Sequence, residues 1–136
     1  MLNPPGESVT EIMTNLYLGD GFTAINANFM IRNNIKVIIN CAVDCHTPEF
    51  IGKEPIFTYV HFKIEDHSDA PIKDHLQDAL ILINNALMRG HGVLVHCRAG
   101  VSRSATFVIA YLMRYGTRLA NPTKMTYDDA FKYVKE

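Results

Sequence analysis

A chain of 136 residues has the length of one compact domain and can bury a core of its own. Its composition, 48% hydrophobic and 20% charged, is that of a soluble globular protein, and a net charge of −1 argues against a nucleic-acid or membrane-surface binder, which carries a basic excess. The longest purely apolar run, residues 79–83, is far too short to span a bilayer.

Residues 1–10, rich in proline, glycine and polar side chains, read as a loose lead-in. No basic-then-apolar leader opens the sequence, and Leu2 stands where N-myristoylation needs glycine, so a cytoplasmic or nuclear location is expected. Residues 11–18 read as short edge strands closed by Gly19. Phe22, Ala24, Ile25 and Phe29 suit one helical face over residues 22–31. Residues 36–41 form a β-branched buried strand, 47–55 a loop and 57–64 another strand. Charge and proline interrupt the pattern at 66–71. The clearest helix follows over 73–88, where Leu76, Leu80, Ile83 and Leu87 recur at helical spacing, ended by Gly90 and Gly92. Residues 92–96 are a buried strand. Residues 104–115 are a helix with Val108, Ile109 and Leu112 inward and Gly116 as its stop. Thr126 with Asp129 three residues later resembles a capping box, opening a last helix that runs to Val134.

Strands alternating with helices predict an α/β fold: a central, mostly parallel twisted sheet of about five strands flanked by helices, forming one domain over residues 1–136. Ligands in such sheets bind beyond the carboxyl ends of the strands. The strand ending at Val95 runs straight into His96-Cys97-Arg98-Ala99-Gly100-Val101-Ser102-Arg103-Ser104, and a helix follows. A strand–loop–helix junction built from small residues can turn its backbone N–H groups toward one point at the positive end of a helix dipole, which makes an anion cradle. The residues of the cradle are Arg98, Ala99, Gly100, Val101, Ser102 and Arg103. A nucleotide-binding loop would need Gly-Lys-Ser or Gly-Lys-Thr, which is absent.

Cys97 gives this cradle a nucleophile. Such surroundings lower a cysteine pKa from about 8.5 to about 3.5–7.5, so the thiolate is expected at neutral pH. Arg103 offers a planar fork for two phosphate oxygens, which lysine cannot. Ser104 can donate to the sulfur as it leaves, and His96 is expected to hydrogen-bond into the loop rather than shuttle protons. The leaving group also needs a proton, and the loop around Asp66 can overhang the same end of the sheet. Asp66 is the favoured general acid and Asp69 the alternative. Six histidines, His46, His61, His67, His75, His91 and His96, show no His-x-x-x-His spacing, and no Cys-x-x-Cys pair accompanies them, so neither a metal nor a cofactor is expected. Three cysteines without a secretory signal suggest reduced thiols. Cys41 and Cys45 read as buried thiols, with a reversible Cys41–Cys97 disulfide as the sharper alternative.

These residues resemble the dual-specificity branch of the protein tyrosine phosphatases. The resemblance rests on Cys97 to Arg103 as a Cys-x5-Arg loop closed by Ser102-Arg103-Ser104. It extends to Asn15-Leu16-Tyr17-Leu18-Gly19, Val37-Ile38-Ile39-Asn40, Ile64-Glu65-Asp66 and residues 105–113, and so covers most of 10–135. It implies a protein tyrosine phosphatase-like fold, a shallow cleft, no metal, and phosphorylated protein substrates carrying phosphotyrosine, phosphoserine or phosphothreonine. Family domains continue past the helix at 126–134, so the C-terminal end of the usual domain is expected to be missing here, and residues 117–124 are longer than the usual connection. Two other readings remain. A phosphatase for a phosphoinositide, RNA 5′-phosphate or glycan would carry further cations in the loop, where only Arg98 stands. A non-catalytic phosphoprotein-binding module would lack the cysteine, arginine or aspartate, and all three are present.

Overall fold

The computed structural model describes residues 9–65, 72–98 and 102–115. Strands β1 (Val9–Met13) and β2 (Leu16–Gly19) form a hairpin around Asn15, whose φ of 72° is a conformation asparagine tolerates better than most residues. Two short helices follow, α1 (Gly21–Ala24) and α2 (Ala27–Arg32), then β3 (Ile35–Asn40) and β4 (Thr58–His61). The longest helix, α3 (Lys73–Met88), leads into β5 (Gly92–His96) and α4 (Ser102–Tyr115). The sheet order is β1-β2-β5-β3-β4, parallel throughout except for β1.

The apolar alternation along the strands sorts the core onto two faces. Leu16, Leu18, Val37, Ile39, Val93 and Val95 pack against α3 and α4 with Ala79, Ile83, Phe107, Val108 and Leu112. Ile38 and Leu94 face the other way, onto Ala24 of α1 and Met30 of α2. Ile35 joins this second group out of step with Val37 because the β3–β5 register shifts between them. The observed bounds of α3 and β5 coincide with the expected ones. Gly90, with φ 77°, ends α3, whereas Gly92 belongs to β5, where a Cβ would come within 3.0 Å of Asn34 O and Ile35 Cα.

Three expectations need correcting. β2 is an interior strand, since β5 pairs with its other side. The helix expected over 22–31 is two helices, because polar side chains cap twice. Asp20 Oδ1 accepts from Thr23 N at 3.0 Å, and Asn26 Oδ1 accepts from Phe29 N at 3.1 Å. Phe22 and Ile25 consequently stay 58% and 64% exposed instead of sharing a buried face. The strand expected over 57–64 pairs only at Thr58–His61. The helix expected at 126–134 and the stop at Gly116 lie outside the described residues. Among the described residues, no helix is long and apolar enough to cross a membrane.

Leu94 is fully buried on the central strand. Leu94→Ala should cost about 2–5 kcal/mol, read as a lower denaturant midpoint at unchanged slope. A loss below about 1 kcal/mol would mean that this face of the sheet closes over the deletion without leaving a cavity.

Candidate active site

Parallel strands β2, β5 and β3 end level with one another, with His96 in register with Gly19 and Asn40. Cys97 emerges at this edge fully buried, and its Sγ lies 3.4 Å from Ser104 Oγ in the first turn of α4. Arg103, on the same turn, is 4% exposed. Its Nη1 donates to Asp44 Oδ1 at 2.8 Å and to the Ile64 carbonyl at 3.0 Å. Arg98 lies 68% exposed at the other side of Asp44, with 3.6 Å between Arg98 Nη1 and Asp44 Oδ2. One carboxylate therefore touches both arginines of the loop. The hydrogen bond from Arg103 is the main reason the Asp44 pKa lies below the ordinary aspartate value; partial burial opposes it, and the charges of both arginines reinforce it.

Asp44 reaches Arg103 because the loop after β3 is tied down from within. Asn40, fully buried at the strand end, accepts from Ala42 N at 3.0 Å and donates through Nδ2 to Cys45 O at 2.9 Å. Its Nδ2 also lies 3.0 Å from Tyr59 Oη. His61 Nε2 contacts Ala42 O at 2.6 Å, and since a carbonyl can only accept, that nitrogen donates. Val43 N donates to Ile64 O at 3.0 Å, the same carbonyl that receives Arg103. Residues 41–45 thus make a short scaffold that fixes Asp44, and through it the guanidinium.

His96 is 1% exposed, and its Nδ1 lies 3.4 Å from the Cys97 carbonyl. The proton belongs on Nδ1, because the carbonyl has none to give. Burial pushes the His96 pKa down to about 4, against the opposing hydrogen bond to Cys97 O. The ring is therefore neutral at physiological pH. Cys41 and Cys45 are both buried, and no disulfide joins the three cysteines. Burial raises the pKa of both thiols; nearby Cys97 adds to it in both, and Asp44 does so for Cys45.

Of the residues singled out in the sequence, Cys97, Ser104, Arg103, His96 and Arg98 gather at this edge. Asp66, Asp69, Ala99, Gly100 and Val101 lie outside the described residues, and Ser102 is described only as the start of α4. Asp44 was not anticipated. The available signal was indirect: an arginine that becomes buried needs an acidic partner, and Asp44 stands just past the end of a parallel strand, where such a partner can reach the start of α4.

A thiol at a strand end, a hydroxyl on the next helix and a buried arginine held by a carboxylate thus meet beyond the end of β5. Residues 16–136 match the family described as dual specificity phosphatase, catalytic domain, and the chain belongs to that family. It is 32% identical over 132 residues to dual specificity protein phosphatase 8 of Mus musculus, an alignment covering 97% of this chain and 18% of that protein. It is 35% identical over 126 residues to dual specificity protein phosphatase 1 of Mus musculus, covering 93% and 31%. The chain thus spans well under half the length of these relatives. Among solved structures, human DUSP28 shares the fold with a TM-score of 0.81 at 23% identity, covering 98% of this chain and 81% of that one. The human tyrosine phosphatase-like serine/threonine/tyrosine-interacting protein has a TM-score of 0.79 at 32% identity, covering 93% and 82%.

Two outcomes follow from this geometry. Asp44 holds Arg103 by a hydrogen bond and a charge. Asp44→Asn should lower kcat/KM for a phosphate ester roughly ten- to a hundredfold, the value of a charge-assisted hydrogen bond. Inhibition by inorganic phosphate should weaken in parallel, and Asp44→Glu should recover part of the loss. Unchanged phosphate inhibition would show that Arg103 holds its place without Asp44. For His96, the folded pKa of about 4 lies below the ordinary 6.5, so between those values the unfolded chain binds the extra proton. The stability associated with the neutral buried ring is fully present above pH 6.5 and is lost as pH falls toward 4. The loss totals roughly 3 kcal/mol. Denaturation across this window should show the loss in the natural chain and a smaller one in His96→Gln. Equal slopes in the two proteins would mean that this ring contributes nothing to acid sensitivity.

Proposed function

We propose that the protein is a cysteine-dependent phosphatase that hydrolyses phosphotyrosine and phosphoserine or phosphothreonine in proteins through a phosphocysteine intermediate. The observation that carries the reading is the 3.4 Å approach of Cys97 Sγ to Ser104 Oγ at the end of β5, in a chain of the dual-specificity phosphatase family. Cys97 Sγ, as thiolate, attacks phosphorus. The bond from phosphorus to the ester oxygen breaks, and that oxygen leaves with the proton of the Asp66 carboxylic acid. Arg103 and the N–H groups of residues 98–103 hold the phosphoryl oxygens as charge develops on them. Water then attacks the phosphocysteine and gives its proton to the Asp66 carboxylate. The S–P bond breaks, Ser104 O–H donates to the departing sulfur, and inorganic phosphate is released. The steps use side chains, backbone N–H groups and water, and invoke no metal or cofactor. A cytoplasmic or nuclear setting, where thiols stay reduced, suits the nucleophile.

Cys97→Ser should abolish turnover of an aryl phosphate while retaining the fold, and chelators should leave the natural chain unaffected. Asp66→Asn should lower the rate by about 10²–10⁴. That loss should be larger for phosphothreonine than for an aryl phosphate with an acidic phenol, which leaves without needing a proton. Near-normal turnover in Cys97→Ser would overturn the mechanism. The same leaving-group dependence in Asp69→Asn, and not in Asp66→Asn, would move the acid to Asp69.

A further inference from the structure

At the end of the sheet opposite Cys97, a cleft of about 390 Å³ lies between the close of α3 and the first residues of β3 and β4. Val37 of β3 with Leu82 and Ala86 of α3 give it an apolar floor, and Ile56, 60% exposed, stands at its rim. His91, which lines it, precedes β5, whereas Cys97 follows β5. The length of that strand, about 20 Å at about 3.3 Å per residue, separates the two ends.

Lys36, Arg89 and His91 line this cleft, and no carboxylate does. Lys36 and Arg89 are exposed and have no ion-pair partner among the described residues. The whole chain carries 13 basic and 14 acidic side chains, so two cations without a carboxylate are a local excess. Of the acids close in sequence to the surrounding segments, Glu11 accepts from Asn15 N, and Glu54 is exposed two residues before Ile56; neither lines the cleft. The carbonyls that end α3 are also taken. Ala86 O accepts from Arg89 N and His91 N, Leu87 O from Gly90 N, and Gly90 O from the Asn34 side chain at 3.2 Å. An anion entering the cleft therefore meets positive charge and N–H donors.

The backbone beside the cleft decides what carries the anion. β4 closes the sheet order, so one side of it pairs with no strand of the sheet. Thr58 of β4 is in register with Val37, shares its face toward α3, and lines the cleft. An extended segment laid along the free side of β4, about 4.8 Å away, would set every second side chain on that face, next to the cations. A small anion would meet the charges but leave the apolar floor wet and the edge of β4 unpaired. A lipid surface gains only about 1 kcal/mol per cation, too little from two.

We propose that this cleft and the free side of β4 form a docking surface for an extended acidic segment of a partner protein, which adds to the sheet as a strand and places its carboxylates on Lys36, Arg89 and His91. The surface lies away from the Cys97 end and goes beyond the phosphatase reading without depending on it.

The test uses the fluorescein-labelled peptide Gly-Glu-Val-Glu-Val-Glu-Val-Gly, with binding followed by fluorescence anisotropy. It should bind, and binding should weaken as salt rises from about 0.01 M to about 1 M, over which the screening length falls from about 30 Å to about 3 Å. Lys36→Gln and Arg89→Gln should each weaken binding about two- to fivefold, the value of an exposed ion pair. Both variants should turn over an aryl phosphate at the natural rate. Bound peptide should also slow hydrogen exchange of β4 amides. No binding of the Glu peptide, equal binding of its Gln counterpart, or undiminished binding in the Lys36→Gln/Arg89→Gln double variant would overturn the proposal. Binding that leaves exchange in β4 unchanged would overturn the strand addition on which it depends. Capture by phosphatidylserine vesicles that the double variant loses, with no peptide binding, would give the surface to a membrane instead.

Discussion

A guanidinium that is 4% exposed is the constraint around which this site is built. Arginine cannot shed its proton at accessible pH, so burial cannot be relieved by neutralisation as it is for His96. The charge must be met by partners that are themselves held in place. Asp44 and the Ile64 carbonyl meet it, and both come from chain segments far from Arg103 in sequence. That requirement reaches back through Val43 N on Ile64 O, through Asn40 on Ala42 and Cys45, and into the ends of β3 and β4. Because the five N–H donors of the guanidinium share one plane, fixing Nη1 orients the whole fork before any phosphate arrives. Removing the carboxylate would leave the buried guanidinium without its countercharge, at a cost larger than the net contribution of the pair to stability.

The parts of the fold that were legible in the sequence are those set by local pattern. The period of α3 and the continuous apolar run of β5 come from residues adjacent in the chain, and both elements have the expected bounds. Cys97 and Ser104 stood out for the same reason, since the run from 97 to 104 is contiguous, and the structure brings the two side chains to 3.4 Å. What was not legible depends on partners across the chain. Nothing in Leu16-Tyr17-Leu18-Gly19 says whether a second strand will cover its far side, and β5, more than seventy residues later, does so. The two helices in place of one were legible in principle. Asp20 and Asn26 are good capping residues, and their hydrogen bonds outweighed an apolar spacing that left Phe22 and Ile25 exposed. Asp44 was hidden among ordinary loop carboxylates because its role exists only once Arg103 is buried beside it.

The buried polar groups divide the work between them. Asn40 fixes a loop, Arg103 presents positive charge, and His96 stays neutral. The neutrality follows from placement. Burial outweighs the opposing effects of the Cys97 carbonyl and of the buried Asp20 carboxylate, so the ring stays neutral. A neutral ring can give Nδ1–H to the Cys97 carbonyl, steadying the backbone as it leaves β5.

Strand geometry makes this economy possible. At the end of β5 the chain places a thiol on one face and an imidazole on the other in two consecutive residues, and the sheet separates them. The α3 and α4 side is filled with large apolar groups that leave Cys97 and Ser104 in a dry, fully buried contact. On the α1 side, His96 stays 1% exposed beneath a cleft bordered by Gly21, Ala24 and Ile25.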